Sequence, residues 1–339
     1  MALQRSLLDH MALLLLTIWL LVKIAASVEP PMAKPNCTAS CGDVKIPFPF
    51  GIETGCYVDE SFQVVCTENN TVPLLKSTKL EVMEISVDGT LKVKNPITFW
   101  NCSSKLVQNR QSPNLEGSPF AFSQKNRLTA VGCGAIALMK LDVSTIGGCL
   151  SICPNHNEAI NKSCNGIGCC QTTISPSVTA FNTSFDTIKA EQMKDCKIAF
   201  LADQDWFTSP SVDISDIVNF RLDYVPVVLQ WELKNYSTLQ VLGPGFEQIL
   251  TNGSDNYYNS GDYYIDEYNR VIGYAKSSCR NLFISSNYSY NRGSNVTLQC
   301  RCPLGYHGNP YLDQGCLGTT TTFFFFKCLG TFYLFGIPT

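Results

Sequence analysis

Ile85-Ser-Val-Asp-Gly-Thr-Leu-Lys-Val-Lys94 alternates apolar and polar side chains on both sides of Asp88-Gly89. A period of two is the pattern of a strand with one buried face, and Asp-Gly supplies the positive φ that a tight hairpin turn needs. The stretch therefore reads as a β-hairpin within residues 78–94, with Lys92 and Lys94 together on its open face. Outward from it, Phe99-Trp-Asn-Cys102 and Leu128-Thr-Ala-Val-Gly-Cys133 read as further strands, and Asp223-Tyr-Val-Pro-Val-Val-Leu-Gln-Trp-Glu-Leu233 as a long apolar one. Pro47-Phe-Pro-Phe-Gly51 is barred from a helix, because proline lacks a backbone donor and pushes its predecessor toward extended geometry. It is expected as an extended aromatic edge. The one helix expected is short, over Phe185–Cys196. The fold class is mostly β.

Seventeen cysteines in 339 residues decide the compartment. They fall in even blocks: Cys37, Cys41, Cys56, Cys66, Cys102 and Cys133; Cys149, Cys153, Cys164, Cys169, Cys170 and Cys196; then Cys279, Cys300, Cys302 and Cys316, with Cys328 left over. Cys149-x-x-x-Cys153 or Cys164-x-x-x-x-Cys169-Cys170 could be read as metal ligands, but zinc sites prefer Cys-x-x-Cys spacing with histidine nearby, so disulfides are the expected use. Adjacent Cys169 and Cys170 must take different partners. The strand endings suggest a Cys102–Cys133 link, and a Cys56–Cys66 bridge across a second hairpin. The N-terminus agrees with an oxidising compartment: Arg5 is followed by the apolar run Met11–Val22 and the small residues Ala25-Ala-Ser27, the order of a secretory signal peptide over 1–27. Nine Asn-x-Ser/Thr sequons follow, at Asn36, Asn69, Asn101, Asn161, Asn182, Asn235, Asn252, Asn287 and Asn295. A glycan cannot be buried, so each of these marks expected surface.

Charge and histidine content exclude other classes. The net charge is −3 and only 16% of residues are charged, so no basic field exists for nucleic acid. Beyond the leader the histidines are His156 and His307, and neither sits in a nucleophile or metal motif. Paired acids such as Asp203 and Asp205, beside Trp206, are of the type that glycosidase chemistry uses, and their spacing is unremarkable. No catalytic residue, metal ligand or cofactor is expected. Seven tyrosines in 234–278 suit a linker or edge strand, with sugar stacking as the other use.

Cys37-x3-Cys41-Gly42, Ile46-Pro-Phe-Pro-Phe-Gly-Ile52, Gly55-Cys-Tyr57, Phe62-x-Val64-x-Cys66 and Val131-Gly-Cys133 resemble the galacturonan-binding region of plant wall-associated receptor kinases. Gly148-Cys-Leu-Ser-Ile-Cys-Pro154, Ser163-Cys-Asn-Gly-Ile-Gly-Cys-Cys-Gln171 and Tyr224-Val-Pro-Val-Val-Leu229 resemble the associated C-terminal part of the same ectodomain. Cys300-x-Cys302-Pro-Leu-Gly-Tyr-His-Gly-Asn-Pro-Tyr-Leu312, ending at Gly315-Cys316, resembles the second half of an EGF-like repeat, with four cysteines in place of six. That resemblance implies Cys302–Cys316 and Cys279–Cys300 bridges. The chain is thus expected as disulfide-rich extracellular modules: a galacturonan-binding-like domain at 36–133, a cysteine-rich domain at 134–233, a Tyr/Asn-rich linker at 234–278, a truncated EGF-like segment at 279–316 and an atypical low-complexity tail at 317–339. No counterpart of the family's kinase motifs is read in it.

What the resemblance implies is an extracellular or cell-wall binder of pectin, a polymer of galacturonate, with association to the plasma membrane as the other location. Polymer carboxylates call for spaced cations. Lys45, Lys76, Lys79, Lys92, Lys94, Lys105 and Arg110 are the candidates, against eight acids from Asp43 to Asp88. With no basic surplus, binding needs these cations clustered on one face, or calcium bridging carboxylate to carboxylate. The alternative function is a protein-interaction ectodomain for a secreted peptide or co-receptor.

Overall fold

The computed structural model describes His10, Thr17 and residues 30–67, 69, 71–102, 112–141, 144–153, 163–187 and 196–234, then 264–265, 271–273, 278–282, 297–302, 306–312, 316–318, 323–328 and 331–336. The expected leader cleavage site, Lys105, Arg110, His156 and the sequons at Asn161, Asn235, Asn252, Asn287 and Asn295 lie outside the described residues. Two compact units form, one of Ala33–Gly253 with Cys279–Arg301, the other of Met1–Met32, Ser254–Ser278 and Cys302–Thr339.

The regular structure described in the larger unit is mostly strand. In chain order it holds β1 (Ser40–Cys41), β2 (Val44–Lys45), β3 (Val64–Thr67), β4 (Val72–Leu75), β5 (Val82–Ser86), β6 (Thr90–Pro96), β7 (Thr98–Trp100), β8 (Phe120–Phe122), β9 (Asn126–Val131), β10 (Ala135–Leu141), β11 (Ser144–Ser151), β12 (Cys169–Thr173), β13 (Asn182–Thr187) and β14 (Lys197–Asp203). Helices α1 (Gln204–Thr208) and α2 (Ile214–Val218) lead into β15 (Tyr224–Trp231) and β16 (Leu233–Lys234). The expected hairpin is β5–β6, paired Ser86↔Thr90 across Val87-Asp88-Gly89, with Gly89 at φ 91. Met83 is exposed where the register shifts between Val82 and Glu84.

Three sheets carry the architecture. The first has the order β5-β6-β15-β8, the second β12-β9-β14-β7 and the third β11-β10-β13. Pairing of β15 with β6, and of β9 with both β12 and β14, mixes strands from 36–133 and 134–233 in the same sheets. The division expected after residue 133 is therefore not a boundary of this fold. On the inner face of the first sheet, the pairs Val93↔Val227, Leu91↔Leu229 and Phe120↔Trp231 stack buried apolar side chains. In β14 every residue is buried, and its alternation splits two cores: Ile198, Phe200 and Ala202 pack with Phe207, Ile214 and Ile217 of the helices, while Ala199 packs with Ala130, Ala137 and Cys170 under the third sheet. A strand covered on both faces reads as a continuous apolar run, and Ile198-Ala-Phe-Leu-Ala202 does.

Two expectations of local structure fail. Residues 182–187, at the start of the expected helix, are strand β13, and residues 188–195 lie outside the described ones. The helices instead follow Asp203 and Asp213, whose carboxylates accept from the backbone N–H of Asp205 and Ser215 as N-caps. Pro47-Phe-Pro-Phe50 is a turn rather than an extended edge: the Phe50 N–H donates to Pro47 O at 2.9 Å, around a cis Phe48–Pro49 bond, and Phe48 and Phe50 are each 1% exposed.

Cysteine pairing also departs from expectation. Cys56 bonds Cys37 rather than Cys66, which bonds Cys41, and Cys102 bonds Cys196 while Cys133 bonds Cys153. The cause is strand order. Cys102 lies two residues past the end of β7 and Cys196 just before β14, and these strands are neighbours with Trp100 opposite Lys197. Cys169 and Cys170 do part company, to Cys164 and Cys149, because they face opposite sides of the second sheet. In a three-stranded sheet, β16 adjoins β20 (Thr297–Arg301), which adjoins β19 (Ser278–Leu282). Cys300 is buried and disulfide-bonded, and the side chain of Cys279 is outside the described ones.

The smaller unit holds β17 (Tyr264–Ile265), β18 (Val271–Gly273), β21 (Tyr306–Gly308), β22 (Cys316–Gly318), β23 (Phe323–Cys328) and β24 (Thr331–Gly336). The Cys302–Cys316 bridge is present beside the β21–β22 hairpin. Buried Asn309 donates to Met32 O at 2.7 Å and accepts from the Tyr311 N–H, fixing the Gly-Asn-Pro-Tyr turn. In the tail, β23 and β24 pair antiparallel.

Candidate functional site

Residues 37–95 form a braced platform. Cys37–Cys56 and Cys41–Cys66 interleave along the chain, so neither loop opens without straining the other. Beneath them Phe50, Phe62, Phe120 and Trp231 stack, with Phe50 and Phe62 5.0 Å apart edge to face and Phe50 and Trp231 5.5 Å apart. Gly51 is required at its position, because a Cβ there would lie 2.4 Å from the carbonyl oxygen of Cys56. At the entry to this region the Lys34 ammonium sits 4.4 Å from the centroid of the Phe48 ring, and burial pulls its pKa down.

Five of the candidate cations are carried on this platform or its edge strands. Lys92 and Lys94 share one face of β6, as the alternation requires. Lys92 contacts Glu84 at 3.3 Å and Asp203 at 3.5 Å, and Lys94 contacts Glu81 at 2.5 Å. The strand end carrying Lys76 lies beside this group through the Leu74↔Glu81 bridge. Lys76 pairs with Glu60 at 2.7 Å and donates to Gln63, while Tyr57 donates to the same Glu60 at 2.8 Å. These bonds hold the Glu60 carboxyl below the usual carboxylate range and raise Lys76. Lys79 is exposed in the following turn and makes no ion pair among the described residues. Lys45 is exposed on β2.

The surface is therefore one of alternating cations and anions. Glu84 meets Lys92 as its cross-strand neighbour, Glu81 meets Lys94 beyond the register shift, and Asp203 arrives from residues far away in sequence. Asp203 is 1% exposed and spends one oxygen on the α1 cap. It is a structural anchor, which removes it from any glycosidase pair with Asp205. Among the described residues no three His, Cys, Asp or Glu side chains assemble as a metal site, and no helix is long and apolar enough to cross a membrane. The sequon asparagines in view, Asn36, Asn69, Asn101 and Asn182, are all exposed, the first three at left-handed corners with φ 63, 57 and 52.

Residues 37–95 match the sequence family described as wall-associated receptor kinase galacturonan-binding, and residues 161–238 match the wall-associated kinase family. The chain belongs to the wall-associated receptor kinase family. It is 34% identical to wall-associated receptor kinase-like 5 of Arabidopsis thaliana over 309 residues, covering 83% of this chain and 38% of that protein. Against wall-associated receptor kinase-like 6 the identity is 31% over 311 residues, covering 83% and 44%, and against wall-associated receptor kinase 1 it is 31% over 296, covering 83% and 34%. The chain spans less than half the length of these relatives. No solved structure matches it. The two matched segments of this wall-associated kinase relative contribute β6 and β15 to one sheet, so its ectodomain segments fold as partners.

Proposed function

We propose that this wall-associated kinase relative is an extracellular binder of galacturonan, the polygalacturonate of pectin, and works in the plant cell wall. The observation that carries the reading is the family match over 37–95, because that segment holds Lys45, Lys76, Lys79, Lys92 and Lys94. Each galacturonate brings one carboxylate. Lys76, Lys92 and Lys94 already hold glutamates, so the polymer exchanges with Glu60, Glu81 and Glu84 rather than filling empty cationic slots. Exposed ion pairs of this kind are individually weak, because water screens them. Affinity then comes from many weak contacts along one polymer, and it falls as salt screens them. Calcium enters as a bridge between the surface glutamates and the polymer carboxylates.

The test is retention of the secreted protein on immobilised polygalacturonate. Elution is expected at moderate salt, and at lower salt for a variant carrying Lys76→Ala, Lys79→Ala, Lys92→Ala and Lys94→Ala together. Loss of retention on chelation assigns the calcium bridge. No retention at low salt overturns the reading, and capture that depends on another protein and ignores salt favours a peptide or co-receptor partner instead.

A further inference from the structure

Trp100 stands apart from the other tryptophans among the described residues. Trp231 is buried in the aromatic cluster and Trp206 packs on the helical core, whereas Trp100 is 46% exposed. It ends β7, the edge strand of the second sheet, and its indole leans on Phe185 with ring centroids 6.3 Å apart. The next residue is Asn101, the exposed acceptor of the sequon Asn101-Cys-Ser103. We propose that an N-linked glycan on Asn101 folds back over Trp100, laying its first N-acetylglucosamine on the open indole surface and capping the β7 edge.

The chemistry of both partners suits this contact. A pyranose has an apolar C–H face and N-acetylglucosamine adds an acetamide methyl, so both bury apolar surface on the indole while the sugar hydroxyls stay in water. The entropy cost is small because the base is already fixed. Trp100 is paired to Lys197 in the sheet, Cys102 is tied to Cys196, and Asn101 is held between them. The sugar is covalently tethered, so its local concentration is high. Among the described residues β7 ends its sheet beside a half-exposed aromatic, and such an edge invites pairing with another chain, which a glycan blocks. Asparagine tolerates a left-handed corner better than most residues, and that accounts for Asn101 by itself. It accounts for neither the bare tryptophan before it nor the serine two positions after it. Attachment forms a bond from sugar C1 to Asn101 Nδ2 and breaks the bond from C1 to the diphosphate oxygen of the lipid donor, so the lipid diphosphate is the leaving group and Nδ2 loses one proton. The contact does not rest on galacturonan binding, because the sugar is the protein's own.

The test compares the chain secreted from plant cells with its Ser103→Ala variant, which abolishes the acceptor motif and leaves Asn101 in its corner. Glycopeptide mass spectrometry is expected to find Asn101 occupied, and hydroxyl-radical footprinting to find Trp100 oxidised several-fold more slowly in the glycosylated protein. Trimming the glycan to one N-acetylglucosamine is expected to keep that protection. The melting temperature of Ser103→Ala should fall by about 2–4 °C, the scale of one surface contact in a domain of this size, and the fall should disappear in a Trp100→Ala background. An unmodified Asn101, or equal oxidation of Trp100 with and without its glycan, overturns the proposal. Should Trp100→Ala fail to fold, the footprinting comparison decides alone, since it leaves the tryptophan in place.

Discussion

The ammonium of Lys92 lies 3.5 Å from Oδ2 of Asp203, a carboxylate oxygen that meets no other partner among the described residues and is sealed from water where β14 meets α1. This pair ties the first sheet to the second. Burial disfavours charge on Lys92, but Glu84 and Asp203 together outweigh it and its pKa is raised. Lys92→Ala removes the compensating charge and should cost about 1–3 kcal/mol, below the figure for a fully buried pair because water reaches the lysine. Asp203→Asn keeps an oxygen for the cap while removing the charge. Denaturant unfolding of both single variants and the double should show the double losing less than the sum; strict additivity would mean the two groups are not coupled. Because the lysine pKa is raised, its contribution is complete below the unfolded value of about 10.4 and is lost as pH rises through the folded one.

The acid limb belongs to different residues. The Glu53 carboxyl is lowered chiefly by the Thr38 hydroxyl, and that of Glu60 chiefly by Lys76 and then Tyr57. A depressed folded pKa contributes stability that is present above the unfolded value of about 4.3 and lost as pH falls through the folded one. Glu60→Gln should therefore flatten the pH dependence of the unfolding midpoint below about pH 4.3 and lower the midpoint slightly at neutral pH, where the ionised carboxyl contributes. An acid limb as steep as that of the parent chain would assign the titration elsewhere.

Alternation around a turn and a long apolar run were legible, whereas the Pro47–Phe50 turn, β13 and the pairings set by strand order were not. The β5–β6 hairpin needs only alternation around Asp88-Gly89, and β15 only its apolar length. Burial of Phe48 and Phe50 escapes a local reading because Trp231 and Phe120, which receive Phe50, come from β15 and β8. Helices α1 and α2 are five residues each, too short to show a period; the capping aspartates Asp203 and Asp213 were the signal available. The candidate lysines were found by charge, yet their sites depend on which acid each one meets, and Asp203 reaches Lys92 only because β14 lies against β6 and β15.

Non-reducing peptide mapping should recover Cys37–Cys56, Cys41–Cys66, Cys102–Cys196 and Cys133–Cys153. The long-range bridge is the one to remove. Replacing Cys102 and Cys196 together by alanine opens a sequence separation of 94 residues. The cost should be about 2–5 kcal/mol, read as a lower unfolding midpoint and a lower secreted yield. Recovery of Cys102–Cys133 peptides would contradict the pairing of β7 with β14, and recovery of Cys56–Cys66 peptides would contradict the interleaved Cys37–Cys56 and Cys41–Cys66 loops.

The aromatic cluster and Gly51 should fail together, for they hold the same corner. Phe62 is fully buried between Phe50, Phe120 and Trp231, so Phe62→Ala opens a cavity and should cost about 3–5 kcal/mol. Gly51→Ala removes nothing and instead drives a methyl into the Cys56 carbonyl, beside Phe50 and the Cys37–Cys56 bridge. Relief requires a backbone shift that moves Phe50 off Phe62 and Trp231, and overpacking of that kind should cost about 1–3 kcal/mol. Since both changes spend the same contacts, the double variant should unfold with less than the summed loss. Denaturant titration of the three proteins measures this directly, and a sum equal to its parts would show that the turn and the cluster are independent.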